Sequence, residues 1–519
     1  MSEIKYRVFA DLYKDSVSLM QLGAKLRARD GVDEASCIMA TPANLAQLAD
    51  AGLVIDKSFA PSDLLVVVRG SADACAQAID HAAEALQSAG TERDGDAKSF
   101  SLPLTSISLG VERAPQADLA LISVPGDYAA AEARKALALG LHVMLFSDNV
   151  SIEDERAIKA YAHERGLLVM GPDCGTAIVN GVPLGFANVV RRGNIGLVAA
   201  SGTGLQEVTC RIDRLGGGVS QALGTGGRDL KDDIGGVTML DALRALADDA
   251  QTQVIVLISK PPSAAIARRI LDVAASSGKP VVVDFLGAPI ESVQRPGIVA
   301  VRSLQDAADA AVALAERREP PMRPDRPAIA AASIDAMASS QQAVRGLFSG
   351  GTFCYETQLV FLERGLACRS NAPVHGVQSL EGAIEGHVFI DLGDDEYTRG
   401  RPHPMIDPSQ RNAAFRLHAS DAATAVLLFD VVLGYGAHPD PTRELAESLR
   451  DAVAAAKAED RTLVLIGHVC GTDADPQDKS RQVAALEDTG VIVADSNFHA
   501  ASLAAEIAAK LASRSTGRR

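Results

Sequence analysis

Hydrophobic positions in this chain cluster into short apolar runs separated by amphipathic stretches, the pattern of strands buried between helices. Near the start, "IKYRVFA" and "ASCIMA" read as strands flanking the helix "SVSLMQLGAKLRARD". Thr41 and Pro42 introduce a helix "NLAQLADAG", and "DLLVVVRG" leads into the helix "SADACAQAIDHAAEALQSAG". Together they predict a small α/β domain over residues 1–95. The polar, aperiodic "GTERDGDAKSFSLP" (90–103) reads as a linker. A second unit, residues 96–190, carries "LALISV", "HVMLFSD" and "LLVMGPD" as parallel strands with helices between them.

Beyond residue 190 one order of elements runs twice. The first series is "NIGLVAASGTGLQE", "VSQALGTGGRDLKDDIGG", "VIVLISKPP", "PVVVDFLG" and "GIVAVRSLQDAADAAVALAE". The second is "VRGLFSGGTFCYE", "VFIDLGDDEYTRGRPHP", "AVLLFDVVLGYGAHPDP", "TLVLIGHVCGTDADP" and "GVIVADSNFHAASLAAEIAAK". Each predicts a five-strand βα domain with glycine turns at the C-terminal ends of its strands, over residues 191–325 and 326–519. The proline- and arginine-rich "RREPPMRPDRPAIAAA" (317–332) reads as the link between them. The predicted class is therefore multidomain α/β with an internally duplicated, doubly wound parallel-sheet domain.

Composition narrows the partners. A length of 519 residues exceeds what one core supports, and 47% hydrophobic residues mark a packed chain. The formal charge of −16 argues against nucleic acid or an anionic membrane as the main partner. No apolar run is long enough to span a bilayer, and "MSEIKYRVFADLYKD" lacks the pattern of a secretory signal, so a soluble, cytoplasmic chain is expected. Seven cysteines without a C-x-x-C pair fit free thiols rather than a disulfide frame, zinc cage or iron–sulfur cluster. No metal site is expected.

Candidate chemistry gathers at the glycine turns. Ser201, Gly202, Thr203 and Gly204, and again Ser349, Gly350, Gly351 and Thr352, join a strand to a helix, where free amides suit an anion. Glu207 and Glu356 follow the two threonines by four residues and so share a face with them, although an early-turn glutamate also complements the helix dipole without a ligand. "LGTGGRDLKDD" places Gly226, Gly227, Arg228 and Asp229 at a strand end; its counterpart loop carries Asp394, Asp395, Arg399, Arg401 and His403. Lys260 ends the "SKPP" strand and is suited to pair with an anion or to cap its loop. Cys174 in "GPDCGT" reads as a structural thiol, and His438 and His468 lie at strand-end level. "HPDP" and "TDADPQ" match no metal-ligand spacing.

The order "GPDCG…NIGLVAASGTGLQE…LGTGGRD" resembles the α subunit of succinyl-CoA synthetase, and the second copy resembles the ligase domain of that enzyme's β subunit. Over nearly the whole chain, through "MLFSDNV", "MGPDCGTA", "SKPP", "DLGDDEYTRGRPHPMIDP" and "AALEDTG", the chain resembles the FdrA family. The resemblance implies a Rossmann-like CoA-binding-type domain at 96–190, two flavodoxin-like ligase domains, and phosphate held between two facing helix N-termini. It departs from the synthetase pattern in "FLGAPIESVQRPGIVAVRS", which has no histidine where that enzyme carries its phosphohistidine.

FdrA-type proteins imply a subunit of an oxamate carbamoyltransferase, interconverting oxalurate plus phosphate with oxamate plus carbamoyl phosphate, without a required cofactor. On that reading Arg228 or Arg401 clamps the oxamate carboxylate, while Glu207, Glu356 or His403 manages protons. Partner subunits and an oligomeric assembly are expected. Two alternatives stand beside it: an acyl-CoA synthetase that uses CoA, and a phosphometabolite-binding regulatory or scaffold subunit.

Overall fold

The computed structural model describes residues 2–10, 12–55, 57–88, 104–321, 335–381, 385–399 and 401–516. The linker predicted over 90–103 and most of that over 317–332 lie outside the described residues.

The N-terminal domain is a three-stranded antiparallel sheet, Glu3–Phe9, Leu64–Gly70 and Val32–Met39 in spatial order. Two of its helices begin as the sequence predicts. Asp15 caps Ser16–Arg27, and the Thr41 hydroxyl accepts the Asn44 amide at the start of Pro42–Asp50. Its core is Leu22, Leu26, Val66, Val68, Cys75 and their neighbours. The second unit pairs Leu119–Ile122, His142–Leu145 and Val169–Met170 in parallel, with Ala129, Ala133 and Ile158 packed behind.

Two seven-stranded sheets form the body of the chain. In the first, the five predicted strands lie in the spatial order Ile298–Ala300, Val281–Phe285, Val254–Ser259, Arg192–Ala199, Val219–Gly224. This puts the strand before the Ser201 turn at the topological switch point, where sheets of this kind bind ligands. The second sheet repeats the arrangement around Ala343–Phe348, with His387–Asp391 on one side and Thr424–Val432 on the other.

Each sheet is larger than the five-strand unit expected from the sequence. In the first, the hairpin Thr176–Val179 and Val182–Gly185, on the N-terminal side of residue 191, pairs antiparallel onto Val219–Gly224. In the second, short strands Cys368–Ser370 and Gln378–Ser379 extend the edge beyond His387–Asp391. Strands of two to four residues are too short to show a hydrophobic period, so the sequence pattern passed over them.

One continuous apolar core, from Ile195 and Leu205 to Phe353 and Ile507, includes residues of both sheets. The duplicated domains are thereby packed against each other through the helices that follow the two glycine turns, Gly202–Arg214 and Gly351–Glu363.

Candidate functional site

The two glycine turns meet. The Ser201 and Thr352 hydroxyls hydrogen-bond each other at 2.6 Å, tying the N-terminus of one helix to that of the other. Ser201 has extended backbone angles and its Oγ accepts the Gly204 amide at 3.0 Å, which closes the first turn. The amides of Gly202, Thr203, Gly351 and Thr352 lie in first turns, where a helix supplies no carbonyl partner. Two helix dipoles therefore direct their positive ends at one place.

That place is the floor of a cleft of about 770 Å³ lined by Ser201, Gly202, Thr203, Gly351 and Thr352. Gly226, Gly227, Lys260, Arg401 and His403 line it too, so much of the predicted constellation is brought together. Gly226 sits at φ +81°, and a Cβ there would lie 2.2 Å from the Pro172 carbonyl oxygen; this is where one strand-end loop packs onto the "GPDCGT" turn. Lys260 crosses from the first duplicated domain to the second, its ammonium 5.0 Å from the centre of the Tyr355 ring.

Other predicted residues do not face the cleft. The Ser349 and Gly350 amides both donate, at 2.7 Å, to the carboxylate of Asp430, which fills the position an anion would take on that turn. Buried Arg411 donates to Ser349 Oγ and to the Asp430 carbonyl. The second turn thus offers only Gly351 and Thr352 to a ligand, a correction to the expectation of two equivalent anion sites. Arg228 is engaged with Glu155 at 2.9 Å and with the Val150 carbonyl at 2.7 Å, so its guanidinium braces the helix Ile152–His163. Asp229 accepts from Lys159 and from the Thr238 and Met239 amides.

The paired glutamates are cross-braces between the two domains, not groups of the cleft. Glu207 meets His468 Nε2 at 2.7 Å, and His468 Nδ1 faces the Ala494 carbonyl. Burial opposes the Glu207 charge, but the His468 imidazole and its hydrogen bond outweigh that and hold the carboxyl down at about 2. Glu356 accepts from the Leu304 amide at 3.0 Å and the Asn497 side chain at 2.8 Å. Here burial dominates and raises the carboxyl to about 7. Both are only 1–2% exposed.

These shifts set opposite pH dependences. Glu207, depressed when folded, stabilises the chain above its unfolded value, and that contribution is lost as pH falls toward about 2. Glu356, raised from 4.5 to about 7, holds its proton more tightly when folded, so stability falls as pH rises through that interval. Glu356→Gln is expected to flatten the fall in unfolding midpoint between pH 5 and pH 7, measured by calorimetry at fixed ionic strength. An unchanged slope would assign the titration to another group.

Sequence reasoning missed Asp391, which lines the cleft beside the Thr352 turn: a Cβ on Gly351 would fall 2.5 Å from its Oδ2. Burial raises its carboxyl to about 6, with Lys260 pulling the other way. His403 accepts the Met405 amide at Nδ1, and burial lowers it to about 4, so its imidazole is neutral at pH 7. Cys174 is buried, its thiol pushed up to about 12 by burial, which removes the thiolate a nucleophile needs. Among the described residues no group of His, Cys, Asp and Glu is placed to hold a metal, and no helix is long and apolar enough to cross a membrane.

A CoA-binding domain matches residues 190–287 and a CoA-ligase domain matches 347–507, so the chain is an α/β protein with CoA-binding-type and CoA-ligase-type domains. An AllF heavy metal-associated domain matches residues 1–101. The chain belongs to the family of the uncharacterized protein YahF of Escherichia coli, to which it is 42% identical over 98% of this chain and 99% of that one. The ADP-forming succinate–CoA ligase subunit alpha 2 of Archaeoglobus fulgidus is 28% identical over 33% of this chain and 59% of its own. Among solved structures, the dinucleotide-forming acetyl-coenzyme A synthetase 1 of Korarchaeum cryptofilum aligns with 77% of this chain and 85% of its own at 18% identity and a TM-score of 0.33.

Proposed function

We propose that the cleft binds the phosphoryl group of an acyl phosphate on the twin turns and exchanges its acyl group with a small carboxylate-bearing amide. The particular reaction is carbamoyl transfer between phosphate and oxamate, with other subunits associated. The observation that carries this reading is the Ser201–Thr352 hydrogen bond, because it joins two helix N-termini into one anion cradle on the floor of a cleft.

In the direction of phosphorolysis, a phosphate oxygen attacks the carbamoyl carbon of oxalurate. The C–O bond forms, the C–N bond breaks, and the leaving amide nitrogen takes up a proton. The four first-turn amides and Lys260 stabilise the phosphoryl charge. Asp391, raised to about 6, is suited to holding and returning that proton near neutral pH. His403, being neutral, serves as a hydrogen-bond donor and not as the base. Glu207 and Glu356, buried outside the cleft, manage no protons there and instead brace the two helices in register.

A second reading is CoA ligation, favoured by the CoA-binding and CoA-ligase matches and by the succinate–CoA ligase relatives. The loop that would carry a phosphohistidine, residues 286–297, contains none. Thermal unfolding with phosphate, with carbamoyl phosphate plus oxamate, and with CoA separates the two, since a ligand of the folded state raises the midpoint. We expect a rise with carbamoyl phosphate that Thr203→Ala diminishes. A rise with CoA alone would hand the site to the ligase reading.

A further inference from the structure

The cleft has a wall that carbamoyl or CoA chemistry on the duplicated domains does not require. Tyr13, Lys14, Asn44 and Gln47 of the N-terminal domain line the same cavity as the twin turns. This domain is fastened over it. Arg27, on the helix Ser16–Arg27, pairs with Glu34 at 2.7 Å and with Asp407, and donates to the Ala35 carbonyl at 3.0 Å. The three charged side chains are only 10–15% exposed, a degree of burial at which an ion pair is screened little by salt. Asp407 closes the loop that carries Arg401 and His403, so the clasp joins the domain to the loop bordering the cleft. A second tie runs from the Tyr13 hydroxyl to the Ser123 carbonyl at 2.8 Å.

The lining of this cavity is charge-balanced, whereas the whole molecule is acidic. The chain carries −16, while Lys14, Lys231, Lys260, Arg399 and Arg401 line the cleft beside Asp127, Asp148, Asp173, Asp391 and Asp395, and none of these five cations takes part in a salt bridge among the described residues. Cations that are outside any ion pair remain available to contact an anionic ligand directly. The floor accounts for a phosphoryl group. The substrate of the proposed reaction has a second anionic end, its carboxylate; Arg228 is occupied by Glu155, whereas Arg401 on the loop and Lys14 on the N-terminal domain both line the cleft.

We infer that the N-terminal domain is a substrate-recognising wall of the cleft, with Lys14 binding the carboxylate of the acyl acceptor and the Arg27–Asp407 clasp holding the wall in place. This rests on the functional reading above for the identity of the acceptor. It assigns the domain a part in specificity, distinct from docking a partner.

The test uses the full chain. Lys14→Met is expected to raise the oxamate dissociation constant about tenfold, the loss of one charge-assisted contact, with inorganic phosphate affinity within about twofold of wild type. Arg27→Met, which spares the cleft lining, is expected to raise amide hydrogen exchange over residues 12–15 and 35–44 and to weaken oxamate without altering phosphate. Equal oxamate affinity in wild type and Lys14→Met, with phosphate binding intact, overturns the wall. If the wild type binds phosphate but not oxamate, the acceptor is misidentified; a series of small carboxylates then replaces it, and a series that Lys14→Met leaves unchanged overturns the inference. Wild type that binds no phosphate defeats the functional reading instead, and exchange in Arg27→Met that matches wild type defeats the clasp by itself.

Discussion

Asp430→Ala lowers the stability of the chain by about 3–5 kcal/mol, the cost of removing one member of a buried charge pair. For a unit of this size that corresponds to a fall of roughly 10 °C in the unfolding midpoint. The carboxylate lies in a strand whose every residue is buried, Thr424–Val432, and three groups depend on it. The Ser349 and Gly350 amides lose their acceptor, and Arg411, fully buried, loses its counter-charge. Burial pushes the Asp430 carboxyl up while Arg411 and the two amides pull it down, so the side chain is held by its partners and not by solvent. Asp430→Asn retains the volume and one acceptor but turns an amide group toward a backbone N–H, and is expected to fall between alanine and wild type. A midpoint for the alanine variant within about 2 °C of wild type would mean that water or bound phosphate replaces the carboxylate on the turn.

The same residue shows what the sequence does and does not disclose. The βα order, the duplication and the two glycine turns are all visible, because each rests on local signals: apolar runs, an N-cap, a glycine at a strand end. Asp430 stands alone inside "AVLLFDVVLG", and His468 inside "VLIGHVC". A charged or polar residue in the middle of a buried strand demands a partner, and that demand is legible. The partner's identity is not: Gly350 lies 80 residues from Asp430, and Glu207 is 261 residues from His468.

The equal spacing from Thr203 to Glu207 and from Thr352 to Glu356 suggested equal chemistry. Spacing fixes only the helix face, and on that face the carboxylates meet His468 in one copy and the Leu304 amide and Asn497 in the other, in the seam between the domains. Once one turn is filled by Asp430, the two copies are no longer equivalent, and duplication of sequence has become a division of labour. The wall contributed by Lys14 and Asn44 was hidden for a simpler reason. Nothing local marks a residue as lining a cavity assembled from all the domains of the chain.

Removing the link between the turns produces the largest expected loss of activity. Ser201→Ala and Thr352→Val each delete one hydroxyl from the cradle, and the double variant is expected to lower kcat/KM by about 10²–10³, the range for loss of a preorganised donor to developing charge. The two effects do not add. Ser201 and Thr352 share one hydrogen bond of 2.6 Å, so either substitution already breaks it, and a double-mutant cycle should return a coupling of about 0.5–3 kcal/mol. Ser201 also caps its helix through the Gly204 amide, so Ser201→Ala carries a stability cost of about 1 kcal/mol that Thr352→Val lacks, because Gly350, not Thr352, is the N-cap of the second helix. Midpoints measured beside the kinetics separate these contributions. Strict additivity in kcat/KM, with phosphate affinity unchanged in all three variants, would show that the turns bind nothing in common. The hydrogen bond between them would then serve only to join the two domains.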